Sequence, residues 1–226
     1  MPSFAIKMLA ACASKSGARA LLGLVFAGVL TACGTSRLGP ALVYDFGPGA
    51  VVQAPANRMA LQPPMVLADV LAPAALDSTA VLYRLNYSDA HLLQPYAQAR
   101  WTMPPAQLLR QQLRAALAER RAVINANEGV QAPAGTLILR LELEEFSQLF
   151  DTPQSSTGLL RLRATLSHPA PGGEALVAQR QVLVQSPAAS ADAAGGVRAL
   201  SAAAASAVQQ LEQWVQQTQA AQPARP

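Results

Sequence analysis

Cys33 closes the tetrad Leu30-Thr31-Ala32-Cys33, which ends an apolar run from Ala20 to Leu30. Its sulfur can form a thioether, and its neighbours suit that chemistry: a Leu three positions earlier, then Thr31 and Ala32, both small. A peptidase that must seat the two side chains before its cut needs them small. Cleavage between Ala32 and Cys33 would free the α-amino group of Cys33, and that one residue would then offer a sulfur for a diacylglycerol and a nitrogen for a third acyl chain. A single acyl chain, at about 0.8 kcal/mol per buried CH₂, holds a protein only marginally, whereas two or more hold it lastingly.

Other constellations are thin. His91 and His168 fall in expected turns or loops, with no His, Cys or Asp at ligand spacing around them, so no metal site is expected. Ser155-Ser156 lacks the Gly-x-Ser-x-Gly elbow of a nucleophilic serine, and no Gly-x-x-x-x-Gly-Lys cradles a phosphate. Glu142, Glu144 and Glu145 could be paired carboxylates, but strand alternation already accounts for the first two. No enzyme and no cofactor is expected. The remaining polar and aromatic group is Asp77, Tyr83, Arg84, Tyr87 and Trp101. In its structural reading Arg84 pairs with Asp77, or stacks on an aromatic ring, and closes the sheet's edge. The rival reading is a surface for a partner.

Stepping outward from Cys33, Lys7, Lys15 and Arg19 precede the apolar run, which is the layout of an export signal. The whole resembles a bacterial lipoprotein signal with its lipobox, giving a signal peptide over 1–32. The run of 11 residues from 20 to 30 is far short of the roughly 20 that span a bilayer. Gly34 follows the Cys, where an Asp would resemble an inner-membrane retention signal, so the outer membrane, at its periplasmic face, is the expected destination.

Removing the signal changes the electrostatics. Lys7, Lys15 and Arg19 leave with it, and 14 basic residues, all Arg, then face 13 acidic ones. The formal +4 of the whole chain falls to near neutrality, which excludes the electrostatic footprint of a nucleic-acid binder. Cys12 leaves too, so no thiol remains for a disulfide, a metal or a nucleophile once Cys33 is acylated. The 194 residues from 33 to 226 suit a single domain with its own core.

The elements follow from periodicity. A Gly, Ser and Pro tether occupies 33–41 with the acylated Cys at its head. Strands are expected at Leu42–Phe46, Met65–Leu71 and Ala80–Leu85, and a short arm at Leu92–Tyr96, broken at Pro95. A helix capped by Thr102 runs to Arg121; Leu109, Leu113, Ala116 and Leu117 form its apolar stripe, and Arg110, Arg114 and Arg121 its solvated face. From Thr136 to Phe146 Leu137, Leu139, Leu141 and Leu143 alternate with Ile138, Arg140, Glu142 and Glu144, and a phase shift at Glu145-Phe146 marks a bulge.

Leu160, Leu162, Ala164 and Leu166 alternate likewise. If these strands pair antiparallel, Arg161 and Arg163 lie across from Glu142 and Glu144, each pair contributing about 0.2–1 kcal/mol. A further strand over Ala175–Val184 completes a meander. A long helix spans Asp192 to about Gln217, with Val197, Leu200, Ala204, Val208, Leu211 and Val215 on its apolar face. The domain thus covers 42–217, and 218–226 reads as a disordered tail. The expected fold is α/β: a mixed, largely antiparallel sheet of about six or seven strands packed by two helices.

The order of these features resembles a specific family. The lipobox, Tyr44-Asp45-Phe46-Gly47-Pro48, Leu76-Asp77 ahead of the strand through Arg84, Tyr87, Trp101 with Pro104-Pro105 and Leu108-Leu109, the strand ending in Glu144-Glu145-Phe146 with Phe150-Asp151, and a helix ending near Trp214 are similar to the ABC-type transport auxiliary lipoprotein family. The likeness covers roughly Val43 to Val215. Where the family has an aromatic just ahead of the residue before Trp, this chain has Gln98-Ala99-Arg100. The resemblance implies a fold like the N-terminal domain of TolB. It also implies a role beside an MCE-domain protein, a permease and an ATPase that move phospholipids between inner and outer membranes. Two alternatives remain open, an envelope assembly or pilot lipoprotein and a lipid-binding carrier, and self-association into a homo-oligomer also stays open.

Overall fold

The clearest period-two run of the sequence becomes the middle of the sheet. The structure, a computed structural model, describes residues 39–48, 62–126, 132–133 and 135–221. The expected signal peptide, Ala32, Cys33 and most of the tether lie outside the described residues. From Pro40 onward the chain is one compact unit. Its described elements are β1 (Leu42–Tyr44), β2 (Met65–Leu71), β3 (Ala80–Leu85), β4 (Asp89–Trp101), α1 (Pro105–Ala118), β5 (Val123–Asn125), β6 (Leu137–Thr152), β7 (Ser155–Ala170), β8 (Gly173–Pro187) and α2 (Ala193–Ala220).

β6 organises the sheet because three strands share it. On one edge β2 runs parallel to its first half, Met65 opposite Leu137, and β3 runs parallel to its second half, Tyr83 opposite Gln148. On the other edge β7 pairs antiparallel along its length, and β8 follows β7. β4 and then β1 extend the sheet beyond β3, while β5 extends it beyond β2. The result is a mixed α/β fold, an eight-stranded sheet curled into a half-barrel with two helices.

Alternation decides what the helices meet. Leu137, Leu139, Leu141 and Leu143 share a buried face with Leu160, Leu162, Ala164 and Leu166. Leu109, Leu113 and Leu117 of α1 and Leu200, Ala204, Val208 and Leu211 of α2 complete that core. The alanines of α2 let it lie close to the sheet. At Gly158 a Cβ would stand 2.6 Å from the backbone of Ala199 and Leu200, so only glycine fits beneath the helix.

Several elements differ from the sequence reading, each for a local reason. β4 runs unbroken through Pro95, because β1 pairs only with Ala99–Trp101 and leaves the proline on an open edge. β5 is three residues long, too short to show a period, and raises the strands from the expected six or seven to eight. α1 is capped at Pro104 rather than Thr102, without a side-chain acceptor; prolines at this turn have no N–H to satisfy. It ends at Ala118, so Arg121 turns inward instead of facing solvent and donates to Gln219 Oε1 and Gln62 Oε1. α2 begins as expected, with Asp192 Oδ1 accepting the Gly195 N–H at 2.7 Å, but continues to Ala220, into the stretch expected to be disordered.

The close approach at Gly158 has a measurable consequence. Gly158→Ala is expected to lower stability by about 1–3 kcal/mol through overpacking. Urea denaturation reads this as a lower midpoint at unchanged m-value.

Candidate functional site

The bulge between Leu143 and Glu145 changes which residues of β6 face the helices. Before it the inward positions are leucines. After it they are Phe146, Gln148 and Phe150, opposite Leu160, Gly158 and Ser156. A buried amide must find partners, and Gln148 finds two. Its Oε1 accepts the Tyr96 hydroxyl at 2.8 Å and its Nε2 donates to Ser156 Oγ at 2.7 Å. Its side chain also fills the space that a Cβ on Gly196 of α2 would need. Tyr83 packs its ring on Tyr96 at 4.6 Å and Phe150 at 6.1 Å, and its hydroxyl donates to Gln94 Oε1 at 3.0 Å. Burial, with Tyr83 and Asp192 adding to it, pushes the Tyr96 phenol above its ordinary value. It therefore stays protonated and serves as a hydrogen-bond donor.

A second knot forms on the other side of β6. Arg84 Nη2 meets Glu145 Oε2 at 3.0 Å, and Ser147 Oγ donates to Glu145 Oε1 at 2.7 Å. Arg84 Nη1 also donates to the carbonyls of Ala90 and His91, both at 3.2 Å. The arginine thus clips the start of β4 to the central strand. Its carboxylate partner is Glu145, not Asp77; the bulge turns Glu145 toward β3, whereas Asp77 lies exposed in the β2–β3 turn.

The five residues grouped in the sequence therefore divide among separate environments. Tyr83 and Arg84, adjacent on β3, serve the two knots. Trp101 is 2% exposed and packs edge-on to Phe46 at 5.4 Å and against Phe146 at 5.7 Å. Tyr87 is exposed in the β3–β4 turn. Asp77 borders a surface cleft with Asp69, Gln107 and Arg110, where Arg110 Nε pairs with Asp69 at 3.2 Å and Nη2 donates to Asn125 Oδ1 at 3.0 Å. Gln148, Tyr96 and Ser156 escape sequence reasoning, because a lone Gln on an apolar face has no periodic signature.

The candidate carboxylates are also separated. Glu144 meets Arg161 at 3.1 Å, Arg163 at 2.7 Å and Gln181 at 3.1 Å, and Glu142 meets Arg163 at 3.5 Å. This is the cross-strand ladder the alternation predicts. Glu145, past the bulge, faces Arg84 instead. Both histidines lie on strands rather than in turns. His91 sits at the start of β4 with its backbone N–H on Asp89 Oδ1 at 2.9 Å, and His168 lies in β7 opposite Ala175. The strands run further toward their turns than the Pro and Gly signals suggest. Among the described residues no three His, Cys, Asp or Glu converge as metal ligands, and no helix is long and apolar enough to cross a membrane.

A family model described as ABC-type transport auxiliary lipoprotein component matches residues 44–212. No curated protein matches the chain. Among solved structures, a Xanthomonas campestris protein of the family DUF330 is similar, covering 80% of this chain and 97% of its own, with 21% identity and a TM-score of 0.66. An uncharacterized protein is similar over 78% of this chain and 99% of its own, with 14% identity and a TM-score of 0.56. Both likenesses are of fold.

Two outcomes follow from the ion pairs. Arg84→Met strands the nearly buried Glu145 carboxylate and is expected to cost about 1–3 kcal/mol; adding Glu145→Gln should restore part of it, as a double-mutant cycle by urea denaturation reads. The second concerns acid. Hydrogen bonds from Arg140, then Ser167, hold Glu174 down to about 2 from the ordinary 4.5. A depressed carboxylate stabilises the fold above its unfolded value and loses that contribution as pH falls toward the folded one. Between pH 4.5 and 2 the parent chain should therefore lose stability more steeply than Glu174→Gln.

Proposed function

The chain belongs to the ABC-type transport auxiliary lipoprotein component family, and on that premise we propose that it is a non-catalytic adaptor of an MCE-type ABC system moving phospholipid between inner and outer membranes. In this reading Cys33 carries the acyl chains, cleavage falls between Ala32 and Cys33, and the domain stands at the periplasmic face of the outer membrane. Its partners are the MCE-domain protein, the permease and the ATPase.

One observation carries the reading. The family match over 44–212 begins a short tether after a tetrad with the residue types that lipid attachment requires. An auxiliary transport component is not an enzyme class, and the charged pairs of this domain act as struts of the sheet. ATP hydrolysis at the inner membrane supplies the energy, so this chain needs only to hold and to bind. A tethered domain can fix the far end of an assembly that crosses an aqueous gap, without enclosing a lipid itself.

Labelling with a clickable fatty acid tests the anchor. The parent chain should take up label and fractionate with the outer membrane, whereas Cys33→Ser should lose the label and appear in the soluble periplasmic fraction. Crosslinking in cells should recover the MCE protein. An unlabelled parent chain would sink the anchor, and repeated failure to recover an MCE protein would sink the adaptor role.

A further inference from the structure

We propose that the end of the domain formed by the β3–β4 hairpin rests on the bilayer, with Tyr87 and Leu92 entering the headgroup region of a zwitterionic lipid surface. The proposal rests on the acylation of Cys33 proposed above.

Chain direction selects this end. β3 and β6 both run toward it: Leu85 lies opposite Phe150, the Asn86 N–H donates to Phe150 O at 2.8 Å, and Asn86 Nδ2 donates to Asp151 Oδ1 at 3.1 Å. The β3–β4 and β6–β7 turns are therefore neighbours. β4 runs back from that end and β1 is parallel to it, with Leu42 opposite Ala99. The backbone entering β1 thus approaches from the hairpin side.

Length sets how far the anchor can stand off. Nine residue steps separate Cys33 from Leu42, which span at most about 30 Å. The register of β4 against β3 shifts twice, so that Arg100 lies opposite Ala80 and Asp89 opposite Leu85, and about five steps of strand, about 17 Å, separate the level of Arg100 from the hairpin. Even a fully extended tether therefore passes the hairpin by only about 13 Å, and the hairpin end is the part of the domain that an anchor on this side brings nearest the surface.

The side chains at this end suit that contact. Tyr87 is 49% exposed and Leu92 52% exposed. Tyrosine pairs an apolar ring with a polar tip and favours the membrane–water boundary. Exposure alone would not choose the site, because Leu176 is 66% exposed. Leu176, however, lies opposite Ser167, which lies opposite Ile138 at the start of β6, about 40 Å of strand from Phe150. Charge narrows the lipid. Asp89 and Asp151 stand at the hairpin end, and its arginine, Arg84, is committed to Glu145. Anionic headgroups are repelled there.

The test uses the full acylated chain in phosphatidylcholine–phosphatidylethanolamine vesicles. Cys33 is the only cysteine after the signal, so Leu92→Cys, Tyr87→Cys and the far-end control Leu176→Cys each add a single free thiol for a fluorescent label. Labels at 87 and 92 should be shielded from aqueous iodide about threefold more than the label at 176. Replacing about a third of the lipid with phosphatidylglycerol at low salt should reduce that shielding. Equal quenching at all three positions in protein that floats with the vesicles would overturn the proposal alone. Shielding that phosphatidylglycerol fails to reduce would overturn the choice of a zwitterionic surface. Protein that does not float would remove the anchor, and this proposal with it.

Discussion

The one-residue phase shift in β6 at Glu144-Glu145 governs the rest of the structure. With strict alternation Glu145 and Ser147 would follow Leu143 inward, and Phe146 and Phe150 would face outward. The bulge ends that pattern halfway. Beyond it Phe146, Gln148 and Phe150 turn toward the helices, and an amide enters the interior that must be fully bonded. Tyr96, Ser156, Gly158 and Gly196 are consequences of that entry: two supply hydrogen bonds, and the glycines let the start of α2 settle over the knot. The same shift delivers Glu145 to Arg84, tying the β3–β4 hairpin to the centre of the sheet.

That geometry also gives the clustered charges their structural partners. Three glutamates within four positions suggest an acid–base pair, but Glu144 turns toward the arginines of β7 and Glu145 toward Arg84 of β3. The oxygens of each are taken up by arginine together with Gln181 or Ser147. Tyr96, shifted upward by burial, stays protonated as a donor.

Much of the fold was legible because it rests on local periodicity. The leucines of β6 and β7, the Arg–Glu ladder, the bulge and the apolar faces of both helices all follow from spacings of two or near 3.6. Long-range choices were not legible. The partner of Arg84 depends on which strand lies beside β3, and a sequence in which Asp77 is seven positions away gives no hint of Glu145. The passage of β4 through Pro95 depends on the shortness of β1. Arg121 reads as surface until the helix is seen to end before it and the side chain to reach Gln219 at the far end of α2. The family resemblance was legible from the order of motifs rather than from any one of them.

Anchoring changes what a binding surface must supply. A domain tied to a membrane by its first residue, close to partners fixed in the same envelope, meets them at an effective concentration far above its bulk value. Binding then needs less energy per contact than a freely diffusing pair would require. Among the large apolar side chains exposed on this domain, Leu71 lies on β2, Leu92 on β4, and Leu176 and Leu183 on β8. Under the proposed anchoring, modest surfaces of that kind suffice, because the tether carries much of the entropic cost of encounter. On the proposed acylation of Cys33, the acyl chains would supply proximity and the dispersed apolar side chains the contact itself.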